Sequence, residues 1–273
     1  MLYALASGAT QEHIEYVYEG YGPELLPTFP IFAAGPWTAA VVALFPNGTH
    51  PVYAGFHYHF HEQLPVSGET STTGEIVGID FHETSALVWL RVESRMTSRV
   101  VMTCSSPLYV NIEQGARETV GIHPARMAEP LHGDPLDPLG VTIDARATLL
   151  YHLLLPIMSG RPTSDAFHVD PAQARSRGLV ATPLHGAGIT GHLGFLLAVA
   201  ARHYATGPIV ELAGRFAKPV YPGDTLTLRL WRPKATSSRW PLQMENERGE
   251  LIIAKGWVQF RASGTVTIER GHG

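Results

Sequence analysis

The sequence predicts an α+β protein in which one helix-and-sheet unit is used twice. Pro30–Gly35 aligns with Pro183–Gly188, 153 residues further on, and each segment opens a run of small and apolar residues. The glycines of two Gly-acidic-Thr turns, Gly68 and Gly223, are 155 residues apart. Because the two offsets agree within two residues, we interpret the halves as repeats of one supersecondary unit.

Each repeat is expected to contain a helix followed by antiparallel strands that wrap it. In the second half, the helix is predicted from Gly186 to about Tyr204, apolar on nearly every side, with glycines that suit a sheet pressing close. Alternation of β-branched or aromatic residues with polar ones predicts half-buried strands. These strands span residues 71–79, 86–94, 99–112, 226–232, 240–245 and 250–261. Residues 146–158 fit helix and strand periods alike, and their type stays open.

The domain boundaries follow from the same pattern. Residues 1–114 form the first unit, 146–273 the second, and 115–145 the linker. The linker is rich in Gly, Pro and Asp, which interrupt regular elements.

Composition excludes several classes of function. The chain has 273 residues, 45% of them hydrophobic, and a formal net charge of −4 without a block of Lys or Arg. We therefore expect no nucleic-acid partner and no membrane association. The single cysteine, Cys104, excludes an intrachain disulfide framework and suits a reducing compartment, so cytoplasm is the expected location.

Two neighbouring segments of the second half carry groups suited to proton transfer. Asp165 and His168 lie in one short loop, and His185-Gly186 begins the predicted central helix. A carboxylate and an imidazole can divide proton donation and acceptance, while amide N–H groups at a helix start can stabilise an oxyanion. That combination suits chemistry on an acyl thioester. Structural roles remain open: a hydrogen-bonded loop histidine for His168, a capping or turn residue for Asp165, and an imidazole that caps or positions the helix entrance for His185.

Motifs spread over nearly the whole chain resemble a known family. The chain is similar to the MaoC-like, (R)-specific enoyl-CoA hydratases (hydratase 2), which are double hot-dog proteins and include the hydratase part of peroxisomal multifunctional enzymes. The motifs that carry the resemblance are Tyr3-Ala4-Leu5, Leu26-Pro27-Thr28-Phe29, Thr103 to Val110, Ser159-Gly160, His168-Val169-Asp170-Pro171, Pro183-Leu184-His185-Gly186 and Phe216 to Leu226.

The resemblance implies two antiparallel sheets, each wrapping a central helix, with a degenerate first hot-dog domain and a catalytic second one. It implies that His168 is the catalytic histidine and that Gly186 lies in the oxyanion region. This chain departs from the family's loop, in which an Asp stands five residues before the catalytic histidine. Here Thr163 stands five residues before His168, and Asp165 only three before it. Either Asp165 takes the place of the family carboxylate, or the carboxylate is lost. Asp170 is a third candidate for the carboxylate, but it matches a family position that is usually structural.

Further residues are candidates for contacts with the substrate. We expect His185 to contact the substrate and Phe29, Phe32 and Trp37 to line an acyl tunnel between the halves. Arg215 and Lys218 are expected to meet the phosphates of CoA or a pantetheine arm, although a solvated face is at least an equal alternative. His57, His59 and His61 alternate along one strand and would spread over roughly 13 Å, too wide for one metal ion without residues from a neighbouring strand. No metal and no cofactor are expected, since CoA or pantetheine is part of the substrate.

The first hypothesis is therefore an acyl-thioester hydratase or dehydratase acting on 2-enoyl or 3-hydroxyacyl thioesters in fatty-acid or polyketide metabolism. The alternative is a hydratase-like protein that lost the Asp/His pair and serves as a polyketide or acyl-chain binding protein, or as a cyclase. A thioesterase is a third option. The sequence leaves open the length of the acyl chain, whether CoA or an acyl carrier protein carries it, the direction of the reaction and whether the protein is a homodimer.

Overall fold

The computed structural model describes residues 1–45, 51–112, 120–121, 133–159, 166–204, 206–234 and 237–261. Its helices are α1 (Leu2–Ala6), α2 (Ile14–Val17), α3 (Gly35–Val42), α4 (Ala147–Ser159), α5 (Pro171–Ser176) and α6 (Gly186–His203). The segment 146–158, whose type the sequence left open, is the helix α4. Among the described residues, no helix is both long and apolar enough to cross a membrane.

The strands of the first half are β1 (Val52–Tyr53), β2 (Gly55–Phe60), β3 (Ser71–Phe81), β4 (Ser85–Met96), β5 (Arg99–Asn111) and β6 (Val120–Gly121). Those of the second half are β7 (Asp134–Pro135), β8 (Leu139–Thr142), β9 (Ile209–Phe216), β10 (Thr225–Arg232), β11 (Arg239–Asn246) and β12 (Leu251–Phe260). All six strands expected from the alternation of residue types are confirmed, with ends that differ by at most two residues.

The strands of both halves form one continuous antiparallel sheet. Its order is β6-β3-β4-β5-β2-β9-β12-β11-β10-β7, with β1 added to β5 and β8 to β10. The halves meet where β2 pairs with β9, in a register that runs from Gly55 opposite Arg215 to His59 opposite Glu211. The two sheets expected from the repeat are thus joined edge to edge, which removes two exposed strand edges.

The predicted linker contributes short strands at the sheet edges. Within its described part, β6 pairs with β3 of the first half, while β7 and β8 both pair with β10 of the second. The segment therefore borders both units. The domain boundaries at 114 and 145 stay a prediction.

The central helix of the second half is confirmed, since α6 begins at Gly186 as expected and ends at His203. The expectation that the sheet presses on its glycines is wrong at three positions. A Cβ on Gly188 would collide with Leu184, in the loop before α6. A Cβ on Gly191 would collide with Tyr151 of α4 and Ser7, which follows α1, and a Cβ on Gly194 would collide with Thr28. The glycines do allow close approach, but what approaches here is helix and loop.

The corresponding segment of the first half is not a long helix. A 3₁₀ turn, Phe29–Ala34, leads into the eight-residue helix α3. The missing helical volume is filled by aromatic side chains: Tyr3 of α1 makes edge contacts with Phe29, Phe32 and Tyr151 at centroid distances of 5.6, 5.1 and 6.2 Å. Aromatic rings bury large apolar areas and favour such edge-to-face geometry.

We predict that Gly194→Ala destabilises the fold although alanine is the better helix former. The helix propensity gained is about 1 kcal/mol, whereas forcing a methyl group against the buried Thr28 costs typically about 1–3 kcal/mol. Urea unfolding should show a lower free energy of unfolding. Gly186→Ala is the matched control, because the nearest side-chain atom, on Phe216, would lie 3.9 Å from its Cβ. Equal stability of both variants would contradict the packing argument.

We also predict that the protein becomes less stable as the pH is lowered, because of His192. This imidazole is buried in α6, its Nδ1–H donates to the Gly188 carbonyl oxygen at 2.8 Å, and burial lowers its pKa to about 4. An unfolded histidine has a pKa near 6.5. Between these values only the unfolded chain binds the proton, so the free energy of unfolding falls from pH 6.5 to about 4, by on the order of 3 kcal/mol.

The measurement is urea unfolding of the native sequence and of His192→Gln at pH 7.5 and pH 4.5. Glutamine cannot titrate, so the difference in stability between the two proteins should shrink on acidification. Parallel losses in both proteins would show that other groups cause the acid sensitivity.

Candidate active site

His168 is held by main-chain groups of two segments. It ends the 3₁₀ turn Ala166–His168, and its Nδ1 lies 2.8 Å from the carbonyl oxygen of Pro183. A carbonyl can only accept, so Nδ1–H donates and the neutral imidazole carries its lone pair on Nε2. The next amide, that of Leu184, donates to the Val220 carbonyl oxygen at 2.7 Å, which ties this segment to the chain after β9. The backbone therefore fixes which ring nitrogen of His168 carries the proton in the neutral form.

Asp170 has a structural role. Its carboxylate caps α5, accepting from the amide of Ala172 at 2.8 Å and more weakly from that of Gln173 at 3.4 Å. An acidic N-cap satisfies amides that lack partners in the helix. This carboxylate is thus the anchor for α5, in agreement with the structural role that the resemblance implied. Asp165 lies outside the described residues.

His185 stacks on His168, with ring centroids 3.7 Å apart and an interplanar angle of 23°. The ring centroid of His152, on α4, lies 6.1 Å from that of His185. His185 is 5% exposed, and neither ring nitrogen has a hydrogen-bond partner within the described part of the chain. Burial, reinforced by the neighbouring His168 and His152, lowers the pKa of His185 to about 2. His185 is therefore a neutral ring that packs against His168. It does not cap α6 through its side chain.

The start of α6 presents backbone donors. The carbonyl oxygen of His185 accepts from Gly188 and Ile189, at 2.8 and 3.1 Å, so the amides of Gly186 and Ala187 are the ones that a helix start leaves without intrahelical acceptors. Together with the helix dipole, such amides stabilise negative charge on an oxygen atom. The predicted position of Gly186 at this end of the helix is confirmed.

A small apolar cavity of about 70 Å³ adjoins these amides. Both halves line it, with Ile31, Phe32, Gly35, Tyr53, Gly55, Phe56 and Tyr58 from the first and Leu155, Gly186, Ala187 and Phe216 from the second. Of the three aromatic residues expected along an acyl tunnel, Phe32 is in this lining. An apolar pocket with a few convergent polar groups is the usual form of a small-molecule site.

The other two aromatic residues lie elsewhere. Phe29 packs against Tyr3 and Phe32 in the core. Trp37 donates its indole N–H to the Thr72 hydroxyl at 2.9 Å and lies against Gly74 of β3.

The candidate phosphate contacts are exposed. Arg215 is the residue before Phe216 on β9, so the two side chains point to opposite faces of the sheet, and Lys218 follows the strand. Phe216 lines the cavity, which places Arg215 on the outer face.

The three alternating histidines also lie on the outer face. His57 Nε2 is 2.7 Å from a carboxylate oxygen of Glu211, and the rings of His59 and His61 stack at 4.3 Å. His61 also meets the Thr103 hydroxyl at 3.0 Å. Among the described residues, no three His, Cys, Asp or Glu side chains are grouped as metal ligands.

Sequence reasoning missed the inward face of the same strand. Phe56, Tyr58 and Phe60 alternate with the histidines, and all three side chains are buried. The period of two was visible in the sequence, but nothing in it showed that this face meets the start of α6 across the two halves.

Comparisons with known proteins agree with this architecture. No family model matches the chain. It is 26% identical over 281 residues to the peroxisomal multifunctional enzyme type 2 of Mus musculus, a match that covers 98% of this chain but only 37% of the mouse enzyme. It is 28% identical over 275 residues to 3-hydroxyacyl-thioester dehydratase Y of Mycobacterium tuberculosis, covering 96% of this chain and 91% of that protein.

Solved structures share the fold. A MaoC-like dehydratase from Phytophthora capsici superposes with a TM-score of 0.75 at 17% identity, covering 96% of this chain and 91% of that one. A Mycobacterium tuberculosis protein described as having a double hot-dog fold gives a TM-score of 0.57 at 16% identity, covering 95% and 88%. The resemblance seen in the sequence is thus confirmed: the chain is similar to MaoC-like hydratases and dehydratases along nearly its whole length and has their double hot-dog fold.

Proposed function

We propose that the protein is an acyl-thioester hydratase or dehydratase acting on 2-enoyl or 3-hydroxyacyl thioesters. One observation carries the proposal: His168, whose neutral imidazole has its lone pair on Nε2, stacks on His185, the residue directly before the amide-rich start of α6, and that helix start lines an apolar cavity. The names of the mouse and mycobacterial relatives support this class of reaction. Because the chain spans 37% of the mouse enzyme, the other activities of that enzyme are not carried over.

In the proposed hydration, the oxygen of water bonds to C3 of the enoyl thioester and a proton of that water passes to His168 Nε2. The electron pair of the C2=C3 bond moves towards the thioester carbonyl oxygen, where the amides of Gly186 and Ala187 stabilise the enolate charge. C2 takes up a proton from the protonated Asp165 carboxyl group. The proton on His168 then passes to the Asp165 carboxylate, which restores the starting state. Dehydration is the same sequence in reverse.

No metal or redox cofactor takes part in this proposal, since CoA or pantetheine belongs to the substrate. Arg215 and Lys218 are proposed contacts for its phosphates, because both are exposed cations on or just after β9. An acyl carrier protein as thioester donor, a homodimeric state and a cytoplasmic location are further parts of the proposal. The substrate class is the part that the relatives support.

The proposal is tested by hydration of crotonyl-CoA, followed as loss of the enoyl-thioester absorbance. We expect His168→Ala and Asp165→Asn each to lower kcat by roughly 10²-fold or more, since both act in the same proton transfers. Asp170→Asn is the matched control: asparagine also caps helices, so turnover should stay within about two-fold of the native enzyme.

Two outcomes would contradict this function. If no enoyl thioester is hydrated while acyl thioesters still bind tightly, the alternative of an acyl-chain binding protein or cyclase is favoured. If free CoA is released while the double bond persists, the protein is a thioesterase. Full activity of Asp165→Asn would remove Asp165 from the mechanism but leave His168 in it.

A further inference from the structure

The described residues line two cavities near opposite ends of α6, and the larger one is partly open to solvent. The cavity of about 70 Å³ adjoins Gly186 and Ala187, and one of about 630 Å³ adjoins Leu197 and Ala198. Ala187 and Ala198 are separated by eleven residues, which in an α-helix corresponds to about 16 Å. The larger cavity therefore lies well beyond the oxyanion region.

Two further elements pass the cavities in the same order. On β2, Phe56 and Tyr58 line the small cavity and Phe60 lines the large one. In the 3₁₀ turn of the first half, Phe32 lines the small cavity and Pro30 the large one. Because all three elements run from one cavity to the other, the cavities lie in line between β2 and α6.

On β2, the ring of Tyr58 lies between those of Phe56, which lines the small cavity, and Phe60, which lines the large one. It stacks on Phe56 at a centroid distance of 5.3 Å and lies 6.2 Å from Phe60. Tyr58 is 1% exposed, and its hydroxyl has no hydrogen-bond partner within the described residues. An unpaired buried hydroxyl costs roughly 1–3 kcal/mol. Within the described residues the hydroxyl therefore does not hold the ring in place, and the packing of the ring does.

The size of the small cavity restricts what can occupy it. An apolar cavity of about 150 Å³ accepts one benzene molecule, and 70 Å³ is about half of that volume. A four-carbon acyl group, with its carbonyl at Gly186, leaves three carbons to accommodate. The tail of a ten-carbon acyl group does not fit unless the wall moves.

We propose that Tyr58 closes the inner end of the acyl cavity, so that the enzyme selects short acyl groups, and that an acyl chain bound there reaches the larger cavity only when this ring is removed. Tyr58 is then the specificity-determining residue. This inference rests on the proposed function.

The test compares kcat/KM for crotonyl-CoA and trans-2-decenoyl-CoA. The native enzyme should prefer crotonyl-CoA by about 100-fold or more, and Tyr58→Leu should raise kcat/KM for decenoyl-CoA by about 10-fold or more while crotonyl-CoA changes by less than about three-fold. Tyr58→Phe keeps the ring and removes only the hydroxyl, so it is the matched control and should retain the native preference. A native enzyme that handles both substrates equally well would overturn the inference without any variant.

A second variant pair shows where the long chain goes. Ala198 lines the large cavity, so Ala198→Phe should cancel the gain of Tyr58→Leu with decenoyl-CoA. By itself, Ala198→Phe should leave turnover of crotonyl-CoA unchanged. A gain that persists in the double variant would show that the longer chain does not enter the large cavity.

Binding separates this inference from the proposed function. Calorimetric titration with butyryl-CoA and decanoyl-CoA, which cannot be hydrated, measures the preference without turnover. We expect the native protein to bind butyryl-CoA more tightly and Tyr58→Leu to bind decanoyl-CoA at least as well. A protein that hydrates nothing but keeps this binding preference would contradict only the proposed function. A protein that hydrates crotonyl-CoA but binds both chains equally would contradict only the role of Tyr58.

Discussion

The antiparallel pairing of β2 with β9 is the constraint on which the site depends. It joins the two halves into one sheet and brings the inward face of β2 alongside α6, which belongs to the other half. Because side chains alternate in a strand, a slip of one residue in this pairing would exchange Phe56 and Tyr58 for the histidines beside them. The apolar lining next to Gly186 therefore exists only in the observed register.

Much of the fold follows from local sequence patterns. The repeat offsets, the alternating strands and the start of α6 all depend on periodicity that a single chain displays openly. The helix of the first half was harder, because Pro30 and Pro36 favour the start of a helical turn but do not show how far it continues. There the aromatic side chains of α1 supply the packing, a contact between distant segments that no periodicity reveals.

The candidate residues of the site could be named from the sequence where they lie in one short motif, but not where both halves contribute. His168 and Gly186 are found from residues close in sequence, and Asp170 fits a cap because Pro171 and α5 follow it. The cavity lining is different, since Phe216 and Phe56, whose ring centroids lie 5.5 Å apart, meet only through the pairing of β2 with β9. Trp37, expected in that lining, is drawn instead to Thr72 by its indole hydrogen bond.

The hydrogen bond between His168 and Pro183 has a consequence for variation of the chain. The acceptor is a main-chain oxygen, and the adjacent amide is fastened to Val220 beyond β9. Exchanging the side chain at position 183 would leave that oxygen in place, so the tautomer of the imidazole is inherited from backbone geometry. Substitutions nearby can accumulate without reorienting the His168 ring, whereas a small displacement of the chain at Val220 would be transmitted to it through the backbone.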